Sequence, residues 1–294
     1  MQSTPRSHAP PNLRSRRGAR MLDQSKWNFA PARLAPCLAV ASRRGGFTLL
    51  ELLVVIGVIA ILTTLVIPAF TARKTADDVT NAAYTIKGFL EAARTFAKSN
   101  NTYTWVGFYE EDANIAGPTN FAPPYPGRGR VVLATVYSND GTSIYSDTDP
   151  PAQLPNLRIA QLNKLTRIEG IHLTDVGNPS PTPTATPRPG TLAARPDWPY
   201  TEGSSLSPPL DHWNRISSDT DDTARFWFAT QNYTFRKNIR FTPRGEASIN
   251  SMWIKLTGEI GIRPAHGNSV DANSPNVVAI QIAGVGGNIK IYRP

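Results

Sequence analysis

The chain has 294 residues and a formal net charge of +9, a value that suggests an acidic partner such as nucleic acid or anionic lipid. The distribution of the charge argues against this. Nine basic residues and one acidic residue give residues 1–46 a net charge of +8, which leaves +1 for the other residues. The one cysteine, Cys37, lies in the same N-terminal segment, so residues 47–294 contain no thiol for a disulfide or a cysteine metal site.

The N-terminal segment is rich in proline, arginine and serine over residues 1–20, a composition that predicts disorder there. Met21 is an alternative start, which would leave 26 residues before Phe47. The segment ends with two basic residues followed by two glycines: Arg43, Arg44, Gly45 and Gly46.

Residues 47–70 form an apolar run that Glu51 and several threonines interrupt. These 24 residues extend about 36 Å as a helix, which is enough to cross a bilayer. An ionised carboxylate inside such a run costs about 2.5–3.5 kcal/mol, so we expect Glu51 to have a partner within the membrane. Two basic residues, Arg73 and Lys74, follow the run, and more basic residues precede it. This predicts a cytoplasmic N-terminus and places everything after residue 75 outside the cytoplasm.

Two ordinary membrane-targeting segments fit less well. A cleaved secretory signal has a shorter apolar region, and residues 68–72 are a poor match to its small-x-small cleavage site. An uncleaved signal anchor has the right length but leaves Glu51 unexplained.

The sequence Arg43-Arg44-Gly45-Gly46 followed by Phe47-Thr48-Leu49-Leu50-Glu51 resembles the class III signal of type IV prepilins and type II secretion pseudopilins. The resemblance implies that a prepilin peptidase, a membrane aspartic peptidase, cleaves between Gly46 and Phe47 and methylates the new Phe47 amine. It also implies that Glu51 is the fifth residue of the mature chain. Pro68 falls where members of the family commonly carry a proline that kinks the helix.

The charges of such a processed chain complement each other. Cleavage would create an amine at Phe47, and this cation can pair with Glu51 of a neighbouring subunit, which fixes an assembly register. Other pilin or pseudopilin subunits and the inner membrane are therefore the implied partners, together with the peptidase. Gly57 and Pro68 weaken the helix locally. Pro68 is either a tolerated membrane kink or part of a stretch that extends when subunits pack.

The helix is predicted to continue outward over residues 75–101, with its end at Ser99-Asn100-Asn101. One face carries an apolar stripe, which needs a sheet or another partner to cover it. The stripe consists of Val79, Ala82, Ala83, Ile86, Phe89, Leu90, Ala93, Phe96 and Ala97.

Beyond residue 102 the apolar period becomes that of strands. Strands are predicted at 103–109, 130–137, 166–173, 225–229, 239–242, 247–256, 277–282 and 289–292. Prolines and glycines interrupt residues 117–129 and, above all, residues 176–210, which are predicted to form an exposed, extended insertion. The insertion is either a solvated loop or a proline-rich arm that binds a partner.

The predicted fold class is α+β, with a long N-terminal hydrophobic helix packed as a spine on an antiparallel β-sheet domain, as in pilins. Its parts are a cleaved leader (1–46), a transmembrane and assembly half-helix (47–74), an amphipathic half-helix (75–101) and a periplasmic β-rich domain (102–294). Near the C-terminus, the pattern Phe241-x-Pro243-x-Gly245 and a glycine-containing final hairpin are similar to H-type minor pseudopilins and FimT-like minor pilins.

No pattern predicts catalysis, a cofactor or a metal site. His172, His212 and His266 lack ligand spacing and are expected at the surface or in turns. The acidic residues of 218–222, together with Asp147 and Asp149, are expected in solvated turns, because a glycine and a distal glutamate needed for calcium are missing.

Nucleic-acid binding is not favoured. Basic and aromatic residues alternate over 215–263, but acidic residues dilute the charge and the aromatics have the spacing of strand-core residues. The sequence therefore predicts a structural pilin or pseudopilin subunit, single-pass in the inner membrane before assembly into a filament. The alternatives are a DNA-contacting minor pilin, similar to FimT-like pilins, and a membrane-anchored protein of unknown activity.

Overall fold

The structure, a computed structural model, describes residues 46–116, 124–146, 148–177, 188–195, 215–219, 223–250, 254 and 257–294, without the side chains of 65–74. The predicted leader, except Gly46, and much of the predicted insertion lie outside these residues. Two compact units are present, residues 1–53 and residues 54–294. Within the first unit, the described residues are 46–53.

The helix α1, Leu49–Ser99, contains 51 residues. It ends as predicted, because Asn101 adopts a positive φ of 49° and the Thr102 amide turns back to the carbonyl of Ala97 at 3.0 Å. The predicted apolar stripe is confirmed. The four alanines of the stripe, together with Val79, Ile86 and Leu90, are at most 1 % exposed. Phe89 and Phe96 are partly buried.

Fifteen strands follow α1 in the described part of the chain. They are β1 (Thr104–Asp112), β2 (Gly129–Ser138), β3 (Ala152–Gln153), β4 (Ile159–Gln161), β5 (Thr166–Glu169), β6 (Ile171–Thr174), β7 (Arg215–Ile216), β8 (Phe226–Thr230), β9 (Tyr233–Phe235), β10 (Lys237–Phe241), β11 (Ala247–Ile249), β12 (Thr257–His266), β13 (Ser269–Val270), β14 (Val278–Ala283) and β15 (Ile289–Tyr292). A short 3₁₀ helix, Leu192–Ala194, lies between β6 and β7.

The strands form three sheets. The first has the order β11-β10-β1-β2-β4, with β5 also paired to β2. In the second, the order is β13-β12-β14-β15, and β6 and β7 also pair with β12. The third consists of β3, β8 and β9. The pairs are antiparallel except for β7 with β12 and β3 with β8. The architecture is α+β, as predicted.

Two hydrophobic cores hold the domain together. In the first, the stripe of α1 packs with residues of the first and second sheets, such as Val106 and Ile260. The second is rich in aromatics and contains Trp105 of β1 with Phe228 and Phe235 of the third sheet. Since Val106 and Trp105 are neighbours in one strand, they point to opposite faces, and the first sheet is buried on both sides.

Most predicted strands are present, with shifts at their ends. The strand predicted at 166–173 is wrong in extent, because Gly170, with a φ of +77°, divides it into β5 and β6, which join different sheets. In the strand predicted at 247–256, only Ala247–Ile249 is extended, while Ile254 lies outside any strand and 251–253, 255 and 256 are not described. The closing hairpin of β14 and β15 is confirmed, with Gly287 in its turn at a φ of +63°.

Candidate assembly helix

The first turn of α1 is fixed by a threonine cap. The Glu51 amide donates to Thr48 Oγ1 at 3.2 Å, and the Leu52 amide donates to the Thr48 carbonyl at 3.1 Å. Thr48 is therefore the N-cap, and Glu51 occupies the third helical position, where a carboxylate interacts favourably with the helix dipole. The spacing of Thr48 and Glu51 is that of a capping box, a local signal that the sequence interpretation missed.

The predicted processing residues lie at this helix start as far as they are described. Gly46 and Phe47 are exposed and precede the helix, and Phe47 is 79 % exposed. The side chain of Glu51 is exposed, and the described residues give its carboxylate no ion-pair partner. Arg43, Arg44 and Gly45 lie outside the described residues.

The first turns of α1 expose an unusual amount of apolar surface. Between residues 49 and 62, eleven large apolar side chains are 44–84 % exposed: Leu49, Leu50, Leu52, Leu53, Val54, Val55, Ile56, Val58, Ile59, Ile61 and Leu62. Burying one such side chain is worth about 1.5–3 kcal/mol. A contiguous apolar surface of this kind marks a site of contact with proteins or a membrane.

The hydroxyls of the two threonines that follow this segment form hydrogen bonds within the helix. Thr63 Oγ1 donates to the Ile59 carbonyl at 2.7 Å, and Thr64 Oγ1 donates to the Ile61 carbonyl at 2.8 Å. Hydroxyls that bond the preceding turn are compatible with an apolar environment. The helix continues through Gly57, where a side chain would meet open space, and through Pro68. A kink at these positions stays a prediction.

No helix among the described residues combines the length and apolar character that a membrane crossing requires.

The helix start and its exposed apolar segment coincide with a known sequence motif. Residues 41–67 match the family model described as the prokaryotic N-terminal methylation motif. The motif indicates a protein of the type IV pilin-like or pseudopilin class, anchored in a membrane through its N-terminal region. It is recognised by prepilin peptidase, in proteins that assemble with other pilins. Comparisons with curated proteins and with solved structures found no match.

The prediction for His172 was wrong, because this side chain is buried rather than superficial. Its Nδ1 lies 2.8 Å from Glu110 Oε1 and its Nε2 lies 3.0 Å from Asp219 Oδ1. Burial alone would lower the pKa of His172, but the hydrogen bonds and charges of Glu110 and Asp219 outweigh it and raise the pKa. A carboxylate oxygen at each ring nitrogen favours the protonated imidazole, which can donate a hydrogen bond on both sides.

This cluster joins three distant parts of the chain. Glu110 also accepts hydrogen bonds from the amides of Gly129 at 3.1 Å and Leu173 at 3.3 Å, and Asp219 accepts one from Thr174 at 3.0 Å. Among the described residues, both ring nitrogens face carboxylates and no nucleophilic side chain is hydrogen-bonded to the imidazole. The arrangement thus fits a structural cluster that links β1, β6 and the segment after β7.

The other predicted turn residues have simpler positions. His266 is exposed at the end of β12, as predicted. Asp149 lies in a turn, where its carboxylate accepts a hydrogen bond from the Ser146 amide at 2.7 Å. His212, Asp147 and residues 220–222 lie outside the described residues. Within the described part of the chain, no group of three or more potential ligand side chains could hold a metal ion.

The aromatic residues of 226–235 belong to the second core, as their spacing predicted. Phe228, Tyr233 and Phe235 are at most 1 % exposed. Trp227 is half-buried, and the guanidinium of Arg236 lies 5.0 Å from its ring centroid. Because base stacking needs exposed rings, the buried aromatics offer no stacking surface to nucleic acid.

The turn after Phe241 and the final hairpin contact each other. Gly245, with a φ of +83°, ends the turn after Phe241, and its carbonyl would lie 2.1 Å from a side chain at Gly287 in the final hairpin. Arg94 of α1 donates from Nη2 to the Gly286 carbonyl at 2.6 Å, and the Ala247 amide donates to the Gly284 carbonyl at 2.7 Å. The two turns therefore form one unit on the last part of α1.

Proposed function

We propose that this protein is a structural subunit of a filament, either a type II secretion pseudopilus or a type IV pilus. The observation that carries the proposal is the N-terminal methylation motif at residues 41–67, which overlaps a helix segment whose apolar side chains are exposed. Such a segment requires cover from a membrane or from other subunits.

Prepilin peptidase would hydrolyse the peptide bond between Gly46 and Phe47, which frees the Gly46 carboxylate and the Phe47 amine. The position of this bond supports the step. Gly46 and Phe47 are exposed and precede the first helical residue, Leu49, so the bond is not held in a helix. The same enzyme would then transfer a methyl group from a sulfonium methyl donor to the Phe47 amine, which breaks the carbon–sulfur bond of the donor, leaves a thioether and releases one proton from the nitrogen.

Assembly would pair charges between subunits. The N-methylated ammonium of Phe47 would lie against the Glu51 carboxylate of a neighbour, since an unpaired charge among apolar side chains is costly. The exposed Glu51 side chain without a partner in the described chain supports this pairing. Gly57 and Pro68 would supply local weakness in the helix during packing.

The β domain would lie in the periplasm, with the leader in the cytoplasm and the apolar half of α1 in the inner membrane before assembly. The turn that contains Gly245 and the closing hairpin favour a minor subunit similar to H-type pseudopilins or FimT-like pilins. A minor subunit would initiate or cap the filament rather than form most of its length.

Mass spectrometry of the membrane-extracted protein tests the processing step. In a host with an active prepilin peptidase, we expect a chain that begins at Phe47 and carries one additional methyl group. A chain that still begins at Met1 or Met21 in that host would exclude the proposal. A strain without the peptidase is the control and should yield the unprocessed chain.

The assembly step is tested with Glu51→Ala, and Glu91→Ala is the matched control on the same helix. Glu91 is exposed and forms a surface ion pair with Lys87 at 3.5 Å, which contributes little to stability. In sheared filament fractions, we expect Glu51→Ala to be processed but depleted at least about tenfold, since an unpaired charge costs more than 1.4 kcal/mol. Equal incorporation of both variants would contradict a role for Glu51 in assembly.

A further inference from the structure

The strand β15 lies at an edge of the second sheet, and part of that edge is open. It pairs with β14 in the register Ile282 with Ile289 and Ile280 with Ile291. The Ala283 amide donates to the Asn288 carbonyl at 2.9 Å, which identifies that pair as hydrogen-bonded. Because hydrogen-bonded pairs alternate along antiparallel strands, Lys290 also directs its backbone groups toward β14.

The remaining positions of this edge, Ile289, Ile291 and Arg293, therefore direct their N–H and C=O groups away from the sheet. The backbone hydrogen bonds of Arg293 show this outward direction, because they join it to Gly190 and Leu192 and not to β14. Its amide donates to the Gly190 carbonyl at 3.0 Å, and its carbonyl accepts from the Leu192 amide at 2.6 Å. Thr191 thus forms a parallel bridge with Arg293.

The segment that makes this bridge, residues 188–195 or the strap, does not continue along the edge. To pair with Ile291, the strap would have to stay extended before Thr191. Instead, the Thr191 amide bonds back to the Arg188 carbonyl at 3.2 Å, and Gly190 has a φ of +86°. This turn leads the strap away. Within the described residues, Ile289 and Ile291 receive no strand on their outer side.

An open groove of about 590 Å³ runs beside these two residues. Its walls are β15, the strap, and Tyr84 and Lys87 of α1. Its charged lining residues are Lys290 and Lys87, and Lys87 also forms an ion pair with Glu91 at 3.5 Å. The guanidinium of Arg293 lies 5.2 Å from the Tyr84 ring centroid. The groove therefore combines a free strand edge, an exposed aromatic ring and a positive charge.

We propose that the outer edge of β15 binds an extended, acidic segment of a partner protein by strand addition. The backbone of that segment would pair with Ile289 and Ile291, as the strap pairs with Arg293, and the carboxylates along one face of the segment would lie near Lys290. A second copy of β15 fits less well, since antiparallel pairing of two copies brings lysines together. The proposal does not depend on whether the protein assembles into a filament.

The test uses the full chain in detergent micelles and a fluorescent peptide that alternates glutamate and valine. We expect saturable binding by anisotropy and slower hydrogen exchange of the β15 amides in the complex. A peptide that alternates lysine and valine is the control and should bind at least about tenfold more weakly.

Two variants separate strand addition from charge. Ile291→Pro removes the outward N–H and leaves the bonds to β14, since that N–H does not enter the ladder. It should weaken binding about tenfold, whereas Ile291→Val should not. Lys290→Glu should reverse the preference between the two peptides, whereas Lys164→Glu, at an exposed position on another part of the domain, should not. If Ile291→Pro does not fold, the two lysine variants and the hydrogen exchange of the β15 amides still test the proposed binding.

Three results would overturn the proposal. The first is that the acidic peptide does not bind the native chain. In the second, Ile291→Pro or Lys290→Glu binds it as well as the native chain does. The third is a concentration-dependent dimer that Ile291→Pro abolishes, because the edge would then belong to a contact between copies.

Discussion

Replacement of His172 by glutamine removes the cation that holds two carboxylates together inside the β domain. The His172 side chain is 2 % exposed and lies within 3.0 Å of both Glu110 and Asp219. Glutamine is similar in size and can donate to one of these carboxylates, but it carries no charge. The variant therefore tests the charge more than the packing.

The expected loss of stability follows from the bonds that Glu110 keeps. Breaking a buried ion pair costs about 3–5 kcal/mol, because one charge remains without compensation. Glu110 still accepts hydrogen bonds from the Gly129 and Leu173 amides, and Asp219 is 37 % exposed and can be solvated. We therefore expect a loss at the lower end, about 3 kcal/mol.

The His172 cluster should also make the stability of the fold depend on pH. The pKa of His172 is raised from its ordinary value of 6.5. The folded state thus binds a proton that the unfolded state releases first, and the stabilisation is complete below pH 6.5 and is lost as pH rises through the raised pKa. The native chain should become less stable above this pH, while His172→Gln should lose that part of the pH dependence.

Urea unfolding followed by tryptophan fluorescence measures both effects, since Trp105 is buried in the second core. His266→Gln is the matched control, because His266 is exposed and its replacement should change stability by less than about 0.5 kcal/mol. The reasoning would be refuted if His172→Gln unfolded at the same urea concentration as the native chain, or if its stability fell as steeply above pH 6.5 as that of the native chain.

Two further substitutions probe the turns and the second sheet. Gly287→Ala should destabilise the fold by more than about 1 kcal/mol, because φ is +63° and the new side chain would lie 2.1 Å from the Gly245 carbonyl. Gly286→Ala, whose nearest neighbour is a side-chain nitrogen at 3.3 Å, should cost less in the same urea titration. Burial raises the pKa of Glu259 to about 7, so its contribution to stability is present below pH 4.5 and is lost as pH rises through about 7. Glu259→Gln should flatten the stability profile in that window, and an unchanged profile in thermal unfolding would contradict this assignment.

The parts of the fold that could be predicted are those with a local signal. The stripe of α1 repeats every three to four residues, and Val79, Leu90 and Ala97 are all buried as this period requires. The final hairpin combines two short apolar runs with glycines between them, and it has the expected turn at Gly287. In both cases the residues that decide the structure are close in sequence.

The strand β12 could not be predicted in this way, although it is central to the second sheet. It contains Gly258, Gly261 and Pro264, which disfavour strands. Its partners explain the composition. A side chain at Gly261 would lie 2.1 Å from the carbonyl of Thr174, so only glycine permits this approach to β6. That contact joins residues far apart in sequence and leaves no local pattern.

The candidate sites divide in the same way. The N-terminal motif is contiguous from Arg43 to Glu51 and could be identified from its residues alone. The environment of His172 could not, because Glu110 lies 62 residues before it and Asp219 lies 47 residues after it. In the sequence, these three residues are far apart, and the packing of the first and second sheets around one core brings them together.

The helix α1 carries its apolar residues in two different ways, and this difference supports the proposed role. Over residues 79–97 they occupy one face, and the sheets of the same chain cover it. Over residues 49–62 they occupy all faces, and the described residues leave them exposed. A helix that is apolar all round is stable where its surroundings are apolar on every side, as in a bilayer or among other helices. Glu51 is acceptable in such surroundings only with a partner. In the proposed filament, a neighbouring subunit with an N-methylated Phe47 amine would provide this partner together with the cover.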